Sequence, residues 1–136
     1  MAETIRKVEY CYTTTADKAG AGAAILDTLR SQGVNLLVVH GFPRARRTQL
    51  DLVAADGPAL VAAAKQAKIK LSRPKTAFLI EGDDRVGALA EITERLAKGG
   101  VNITALTAVC AGLGRFGAIL WVPPREVKKA AATLGA

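Results

Sequence analysis

The sequence is poor in the residue types that most often build catalytic and metal centres. Its 136 residues include one His and two Cys, and only 4% of them are aromatic. One His with the distant Cys11 and Cys110 cannot supply a zinc site of the usual Cys/His kind, and it leaves little material for a nucleophile–base pair. A disulfide scaffold is unexpected in a chain of which half is hydrophobic. We therefore predict no catalytic residues, no metal and no cofactor.

Long apolar runs are also missing. No run approaches the roughly 18 residues of a membrane span, and the N-terminal sequence Met-Ala-Glu-Thr-Ile-Arg-Lys lacks the apolar stretch of a signal peptide. We expect a cytoplasmic protein without a membrane span. The net charge of +7 raises nucleic acid as a partner. However, residues 1–70 hold ten basic and six acidic side chains, and residues 71–136 hold nine and six, so the excess is spread evenly and nucleic acid is not the favoured partner.

The chain contains an internal repeat. An offset of 67 positions aligns Gly33-Val-Asn35 with Gly100-Val-Asn102 without a gap, and nine of the nineteen positions from 17 to 35 are then identical. The matches fall on turn glycines and on the apolar stripe of a helix, which favours duplication over chance. We predict two copies of one unit, with domains at 1–72 and 73–136.

Each copy has the pattern strand, helix, strand, strand, helix. In the second copy, Thr76–Ile80 is a short apolar run typical of a buried strand. Val86, Leu89, Ile92 and Leu96 then form one face of a helix that ends at Gly99. The remaining predicted elements are strands over Val101–Cys110 and Arg115–Val122 and a helix from Pro124; in the first copy they are strands over Val8–Thr14, Val34–Phe42 and Thr48–Ala55, and helices over Ala19–Gln32 and from Gly57.

This order predicts an α+β fold. It consists of two ferredoxin-like βαββαβ units, each an antiparallel sheet with its helices on one face. Lys68–Ser72 could be the last strand of the first unit. At the same offset the second copy stops where that strand would begin, so the second unit is expected to lack its last strand. An open sheet edge there must be covered, paired or short.

The repeat resembles the ACT domain, a family of amino-acid-binding regulatory domains. The resemblance rests on Asp84-Arg-Val-Gly87, the amphipathic helix after it, and Gly100-Val-Asn-Ile103. Asp17-Lys-Ala-Gly20 and Gly33-Val-Asn-Leu36 form a weaker version in the first copy. The resemblance implies tandem ACT domains that pair side by side and bind an amino acid where the first strand–helix loop of one domain faces the next. The ligand-binding residues that it implies are Asp84, Arg85, Val86, Gly87, Ala88, Asn102 and Ile103, with Asp17, Gly20, Asn35 and Leu36.

Elementary chemistry agrees with a ligand at these loops. Free N–H groups at a helix start favour a carboxylate, and an Asp beside them could take an ammonium group. Structural roles stay open for the same residues. Asp17 and Asp84 are also suited to cap helices, Gly20 and Gly87 to permit close packing of helix and strand, and the two Asn residues to satisfy a turn.

Both faces of the predicted sheet carry apolar residues in the second copy. Ala77 to Ile80 point alternately to opposite faces, yet all four are apolar, whereas a half-exposed sheet should alternate. We therefore expect the helix-free face to be buried against the other copy or another chain, and we predict a homodimer or larger assembly with a possible regulated enzyme or regulator as partner.

Two other functions remain open. A basic ferredoxin-like protein could bind RNA through Tyr10 and Tyr12, which share one strand face, and through Arg44, Arg46 and Arg47. The chain could also be a protein-interaction module with no ligand. The favoured hypothesis is a non-enzymatic regulatory protein that senses a small molecule, with an amino acid as the expected class.

Overall fold

The chain forms two units, and the first strand contributes to both. A computed structural model describes residues 3–136. The N-terminal unit comprises Glu9–Lys75, and the C-terminal unit comprises Thr76–Ala136 together with the residues up to Val8. The predicted α+β fold of two ferredoxin-like units is confirmed. The division into domains 1–72 and 73–136 stays a prediction, and the first two residues of that range lie outside the described part.

The N-terminal unit contains three strands and two helices. The sheet order is β2-β3-β1, and both pairs are antiparallel. Its elements are β1 (Thr4–Ala16, from Glu9 onward), α1 (Ala21–Ser31), β2 (Leu36–Arg44), β3 (Arg47–Ala54) and α2 (Gly57–Gln66).

The core of this unit lies between the sheet and the helices. Cys11 is paired with Leu52, and Leu52 is in turn paired with Val39 across the sheet. Cys11, Leu29, Leu52 and Leu60 belong to one buried cluster. Because the side chains of a strand alternate between its two faces, the intervening residues of β1 and β3 point to the helix-free face.

The stretch Lys68–Ser72, predicted as the last strand of the first copy, lies beside β1 but is not a regular strand. It follows α2 and runs beside β1, where the backbone N–H of Ser72 donates to the Tyr12 carbonyl over 2.8 Å. The Tyr12 N–H donates to Ser72 Oγ over 2.9 Å. Ile69 and Leu71 pack against the core of the unit, so the stretch covers the free edge of β1 with few of the hydrogen bonds of a regular ladder.

The C-terminal unit has the sheet order β1-β4-β6-β5 and two helices. The pairs β4–β6 and β5–β6 are antiparallel, with Leu120 opposite both Phe78 and Leu106. Its elements are β1 as far as Val8, β4 (Lys75–Asp83), α3 (Ala88–Lys98), β5 (Ala105–Gly112), β6 (Arg115–Trp121), a 3-10 turn (Pro124–Glu126) and α4 (Val127–Leu134).

The missing last strand of the second copy is replaced by the start of β1. Thr4–Val8 occupies the sheet position beside β4, where Ile5 packs against the core of the C-terminal unit. Glu3 Oε1 lies 3.0 Å from Arg95 Nη1 of α3. The edge that the sequence left open is therefore paired, by residues from the other end of the chain.

Both faces of β4 are buried, as its unbroken apolar run predicts. Phe78 and Ile80 belong to the cluster that packs under α3 and α4. Ala77 and Leu79 point to the helix-free face, and they are also buried, as is Trp121. The apolar residues from Ala77 to Ile80 are therefore all buried, on both faces of the strand.

Several strand boundaries differ from the predicted ones, because they depend on turns that the spacing of apolar residues does not reveal. β5 begins at Ala105 and not at Val101, since the residues from 101 to 104 leave the helix in an irregular connection. The first hairpin turns at Ala45 and Arg46, which both have positive φ, so Pro43 and Arg44 belong to β2. No helix in the described range 3–136 has both the length and the apolar character needed to cross a membrane.

Candidate functional site

The loop between β4 and α3 ends in a glycine with left-handed backbone. Gly87 is the N-cap of α3 with φ of 82°, and no side chain caps the helix. Gly20 holds the same place before α1 with φ of 86°, also without a side-chain cap. The capping role considered for Asp84 and Asp17 is therefore wrong, because both residues precede the N-cap by three positions and do not bond to the first turn.

The conformation of these two glycines, and not the space around them, requires glycine. A Cβ atom added to Gly20 or Gly87 would have no atom within 4 Å, so close packing of helix and strand is not the reason for either residue. A left-handed φ disfavours every residue that carries a Cβ. The N–H groups of Ala88 and Ala21 donate to the Arg85 and Lys18 carbonyls over 3.3 Å. The N–H groups that follow in each first turn have no side-chain cap and carry partial positive charge.

A cavity of about 310 Å³ lies in front of this helix start, wholly within the C-terminal unit. Four of the predicted site residues line it, together with residues of α3, β5 and β6 that the sequence did not suggest. The lining residues are Asp84, Arg85, Gly87, Ala88, Leu89, Ala90, Ala108, Val109, Cys110 and Phe116.

Asp84 is held at the rim of the cavity by its backbone. Its N–H donates to the Gly114 carbonyl over 2.9 Å. The thiol of Cys110 donates to Asp84 Oδ2 over 3.2 Å. The side chain of Cys110 is exposed, whereas Cys11 is buried. Burial raises the pKa of the Cys11 thiol.

Arg85 is paired with a glutamate of α3. Its Nη2 lies 2.6 Å from Glu91 Oε2, and its Nη1 donates to Glu91 Oε1 over 3.1 Å. The hydrogen bonds from Arg85 hold the pKa of Glu91 below its ordinary value. A planar guanidinium that binds one carboxylate in this two-pronged way can also bind the carboxylate of a ligand.

The remaining predicted residues of the second copy lie away from the cavity. Asn102 is exposed, and its backbone N–H donates to Glu126 Oε2 over 3.1 Å. Ile103 packs against the core of the C-terminal unit. Val86 is fully exposed and does not line the cavity. Asn102 was expected at the base of a strand, but β5 starts three residues later.

The predicted residues of the first copy line neither the cavity in front of α3 nor the basic cavity of the N-terminal unit described below. Asp17 and Gly20 are exposed in the loop between β1 and α1. The Asn35 carbonyl accepts a hydrogen bond from the N–H of Ala55 over 2.9 Å, and Leu36 packs against the core of the N-terminal unit.

The face with Tyr10 and Tyr12 carries buried polar groups. Tyr12 is opposite Asp51 in the ladder, and Asp51 and Gln49 are both buried. Gln49 Nε2 donates to Asp51 Oδ1 over 2.9 Å. Burial and the charge of Asp51 raise the pKa of Tyr10. A buried carboxylate on this face opposes the approach of nucleic-acid phosphates, which disfavours the RNA-binding alternative.

The acidic run before α3 is engaged in ion pairs. Arg115 Nη1 donates to Asp83 Oδ1 over 2.7 Å, and Arg6 Nη2 lies 3.9 Å from Glu81 Oε1. Within residues 3–136, no group of three or more His, Cys, Asp or Glu side chains is arranged to hold a metal ion.

The chain is similar in structure to several solved proteins. No protein-family model and no curated protein matches it by sequence. Protein BT0572 from Bacteroides thetaiotaomicron is 17% identical with a TM-score of 0.83, over 96% of this chain and 88% of that one. The ligand-free regulatory subunit of aspartate kinase from Thermus thermophilus is 14% identical with a TM-score of 0.65, over 99% and 95%. The corresponding subunit from Thermus flavus is 15% identical with a TM-score of 0.63, over 99% and 95%.

The fold is ACT-like. Aspartate kinase regulatory subunits of this ACT type align with almost the whole of this chain, so the resemblance seen in the loop motifs extends to the fold. These aligned structures are regulatory parts and not catalytic ones.

Proposed function

We propose that this chain is a regulatory protein of tandem ACT domains that binds an amino acid at the β4–α3 loop of the C-terminal unit. The observation that carries the proposal is one cavity that contains an uncapped helix start, a carboxylate and a guanidinium. Gly87 begins the uncapped helix, and Asp84 and Arg85 line the same cavity.

These groups suit the two charges of an amino acid. The N–H groups at the start of α3 and the Arg85 guanidinium are donors for an α-carboxylate. The Asp84 carboxylate is an acceptor for an α-ammonium group. Leu89 and Phe116, which also line the cavity, offer apolar surface to a side chain. About 310 Å³ is at the lower end of the range typical of small-molecule sites, which fits a ligand the size of one amino acid.

The action we propose is regulatory and not catalytic. No histidine lines the cavity, and the Cys110 thiol contacts a carboxylate, which is a far weaker base than a thiolate and does not activate the thiol as a nucleophile. Ligand binding would act on an assembly or on a regulated enzyme in the cytoplasm. Such an effect requires that the ligand bind one state more tightly than another.

The assembly we propose is a homodimer formed through β5. This strand is at the edge of its sheet, and its sequence from Ala105 to Gly112 contains no charged residue and no proline. Unprotected edge strands pair readily with another chain. Leu106 and Val109 are exposed, the latter by 60%, and Val109 also lines the cavity, so a second chain at this edge would help to close the site.

A screen of the twenty amino acids by thermal shift tests the binding function. A ligand at about 100 times its dissociation constant is expected to stabilise the fold by about 2.7 kcal/mol. Asp84→Asn should abolish the response to that ligand. The matched control is Asp17→Asn, which makes the same change in the equivalent loop of the first copy and should leave the response intact.

The outcomes separate an amino-acid-binding protein from a ligand-free interaction module. No response to any amino acid, with a dimer that retains a specific protein in a pull-down, would favour a ligand-free interaction module. A response lost in Asp17→Asn and kept in Asp84→Asn would contradict the site proposed here. The dimer is tested separately by light scattering, where Val109→Lys should give a monomer because it places a charge on the unpaired edge.

A further inference from the structure

A second cavity lies in the N-terminal unit and shares no lining residue with the cavity in front of α3. It measures about 520 Å³ and is bordered by β1, α1, the start of β3 and the stretch that follows α2. This volume is within the range of about 300–1,000 Å³ typical of small-molecule sites. The lining residues are Tyr12, Thr13, Thr14, Ile25, Arg47, Lys68, Ile69, Lys70, Leu71 and Ser72.

The wall made by the stretch after α2 is fixed in place. Ser72 is bonded to the backbone of Tyr12 in both directions, over 2.8 and 2.9 Å. Ile69 and Leu71 pack against the core of the unit. Lys68 and Lys70 alternate with these two apolar residues and are exposed, so core packing does not account for the two charges.

The lining is cationic. Arg47, Lys68 and Lys70 contribute three positive charges, and none of the ten described lining residues is acidic. Arg47 Nε donates to Thr14 Oγ1 over 3.3 Å. This bond orients the guanidinium through Nε, which leaves its two Nη groups as donors for a ligand, and it leaves the Thr14 hydroxyl proton as a further donor.

The other copy shows that the fold does not require this set of residues. At the offset of 67 positions, Lys70 corresponds to Glu3, Thr14 corresponds to Glu81, and Lys68 corresponds to Gly135. Arg47 is the first residue of β3 as Arg115 is the first residue of β6, but Arg115 donates to Asp83 over 2.7 Å. Residues needed only to build the repeat would serve both copies, whereas the two lysines occur in the first copy alone.

Lys68 also has a strained backbone. Its φ is +59°, and it is the second residue after α2, directly after the C-cap residue Ala67. The corresponding residue after α4 is Gly135, with φ of +72°. Glycine is the residue favoured at this left-handed position, and strain of this kind is typically retained at functional sites. The first copy thus keeps a lysine where glycine would fold more easily.

We propose that this cavity binds a small phosphorylated molecule through Arg47, Lys68 and Lys70. A phosphate group has more charge and more acceptor oxygens than a carboxylate, and it matches three cations with additional hydroxyl donors. A single carboxylate would leave most of these donors unused. This site is separate from the amino-acid site proposed above, and either can fail without the other.

Titration of the ¹⁵N-labelled full chain with sodium pyrophosphate tests the proposal, followed by amide NMR shifts. We expect saturable shifts at Thr13, Thr14 and the residues from 68 to 72. The double variant Arg47→Gln/Lys70→Gln should bind at least about tenfold more weakly, since it removes two charge-assisted contacts. The matched control Lys128→Gln/Lys129→Gln removes the same charge from the surface of α4 and should change the affinity less than twofold.

Lys68→Gly separates a ligand role from a structural one. It should raise the thermal midpoint of the free protein, because it relieves the left-handed backbone strain, and it should weaken pyrophosphate binding. A lower midpoint with unchanged binding would overturn the role of Lys68.

Three further results would overturn the proposal. The first is a linear, unsaturated response that sodium chloride of equal ionic strength reproduces. The second is binding of succinate that equals that of pyrophosphate, which would assign the cavity to carboxylates. The third is that a hexauridylate binds at least tenfold more tightly than ribose 5-phosphate and shifts the amide signals of Arg44 and Arg46. This result would identify a nucleic-acid surface instead.

Discussion

The two copies share a fold but differ in which cavity each one forms. The C-terminal unit has a cavity at the start of α3, beside Asp84 and Arg85. The N-terminal unit has a cavity beside β1 and the stretch after α2 that covers the edge of β1. The second copy carries Glu3 and Glu81 where the first carries Lys70 and Thr14. The two copies thus share a backbone fold while the side chains around their cavities differ in charge.

The strongest test of this comparison uses two equivalent isoleucines. Ile92 is fully buried in the core of the C-terminal unit, and its counterpart Ile25 is half-buried at the wall of the basic cavity. Ile92→Ala is expected to lower the free energy of unfolding by about 3–4 kcal/mol, and Ile25→Ala by about 1 kcal/mol, because less surface is buried there. Urea unfolding measures both; equal losses would contradict the difference in packing.

The next test concerns the strand that the C-terminal unit takes from the start of the chain. Ile5→Ala should destabilise this unit by about 2 kcal/mol because Ile5 packs against its core. Trp121, the only tryptophan, reports on this unit by fluorescence. Lys7→Thr, an exposed change in the same strand, is the control. If amide hydrogens of the Ile5→Ala variant exchanged faster in β3 than in β4, the assignment of the start of β1 to the C-terminal unit would be contradicted.

A reciprocal pair tests the left-handed positions after α2 and α4. Lys68→Gly should stabilise the protein by about 1 kcal/mol, and Gly135→Ala should destabilise it by about the same amount. No atom lies within 4 Å of a Cβ at Gly135, so its effect would report backbone strain alone. Chemical unfolding measures the change in the free energy of unfolding for both variants. Changes of the same sign would show that backbone strain does not distinguish Lys68 from Gly135.

The smallest expected effect concerns the ion pair at the amino-acid site. Glu91→Gln should strengthen binding of the amino acid found in the screen by about twofold, because Arg85 is then no longer shared with an exposed carboxylate. The pKa of Glu91 is lowered by Arg85, so the pair stabilises the fold above the ordinary glutamate pKa, and this stabilisation is lost as pH falls through the lowered value. Calorimetry should show the gain in affinity at neutral pH and none below the pKa of Glu91.

Local patterns were enough to predict the elements of the fold. The helices α1 and α3 follow from apolar spacing and terminal glycines, and the strand β4 follows from an apolar run between polar residues. The loop motif also located Asp84, Arg85, Gly87 and Ala88, which line one cavity. The same motif includes Asn102, which does not line this cavity; the irregular connection after Gly100 has no periodic signal, and β5 begins four residues later than predicted.

Contacts between distant residues could not be predicted in this way. Cys110 reaches Asp84 from a strand 26 positions further along the chain, and nothing in its own neighbourhood marks it as exposed. The basic cavity combines Arg47 with Lys68 and Lys70, which look like scattered surface charges in the sequence.

The sequence by itself determined that this protein is a duplicated α+β unit with one glycine-bounded loop in each copy, because helix and strand periods and turn residues are local properties. Only the tertiary structure decided which strand completes each sheet. A sheet edge offers the same backbone donors and acceptors to any extended segment, so pairing depends on which segment the folded chain brings there. Here Thr4–Val8 completes the second copy, and the stretch at Ser72 completes the first.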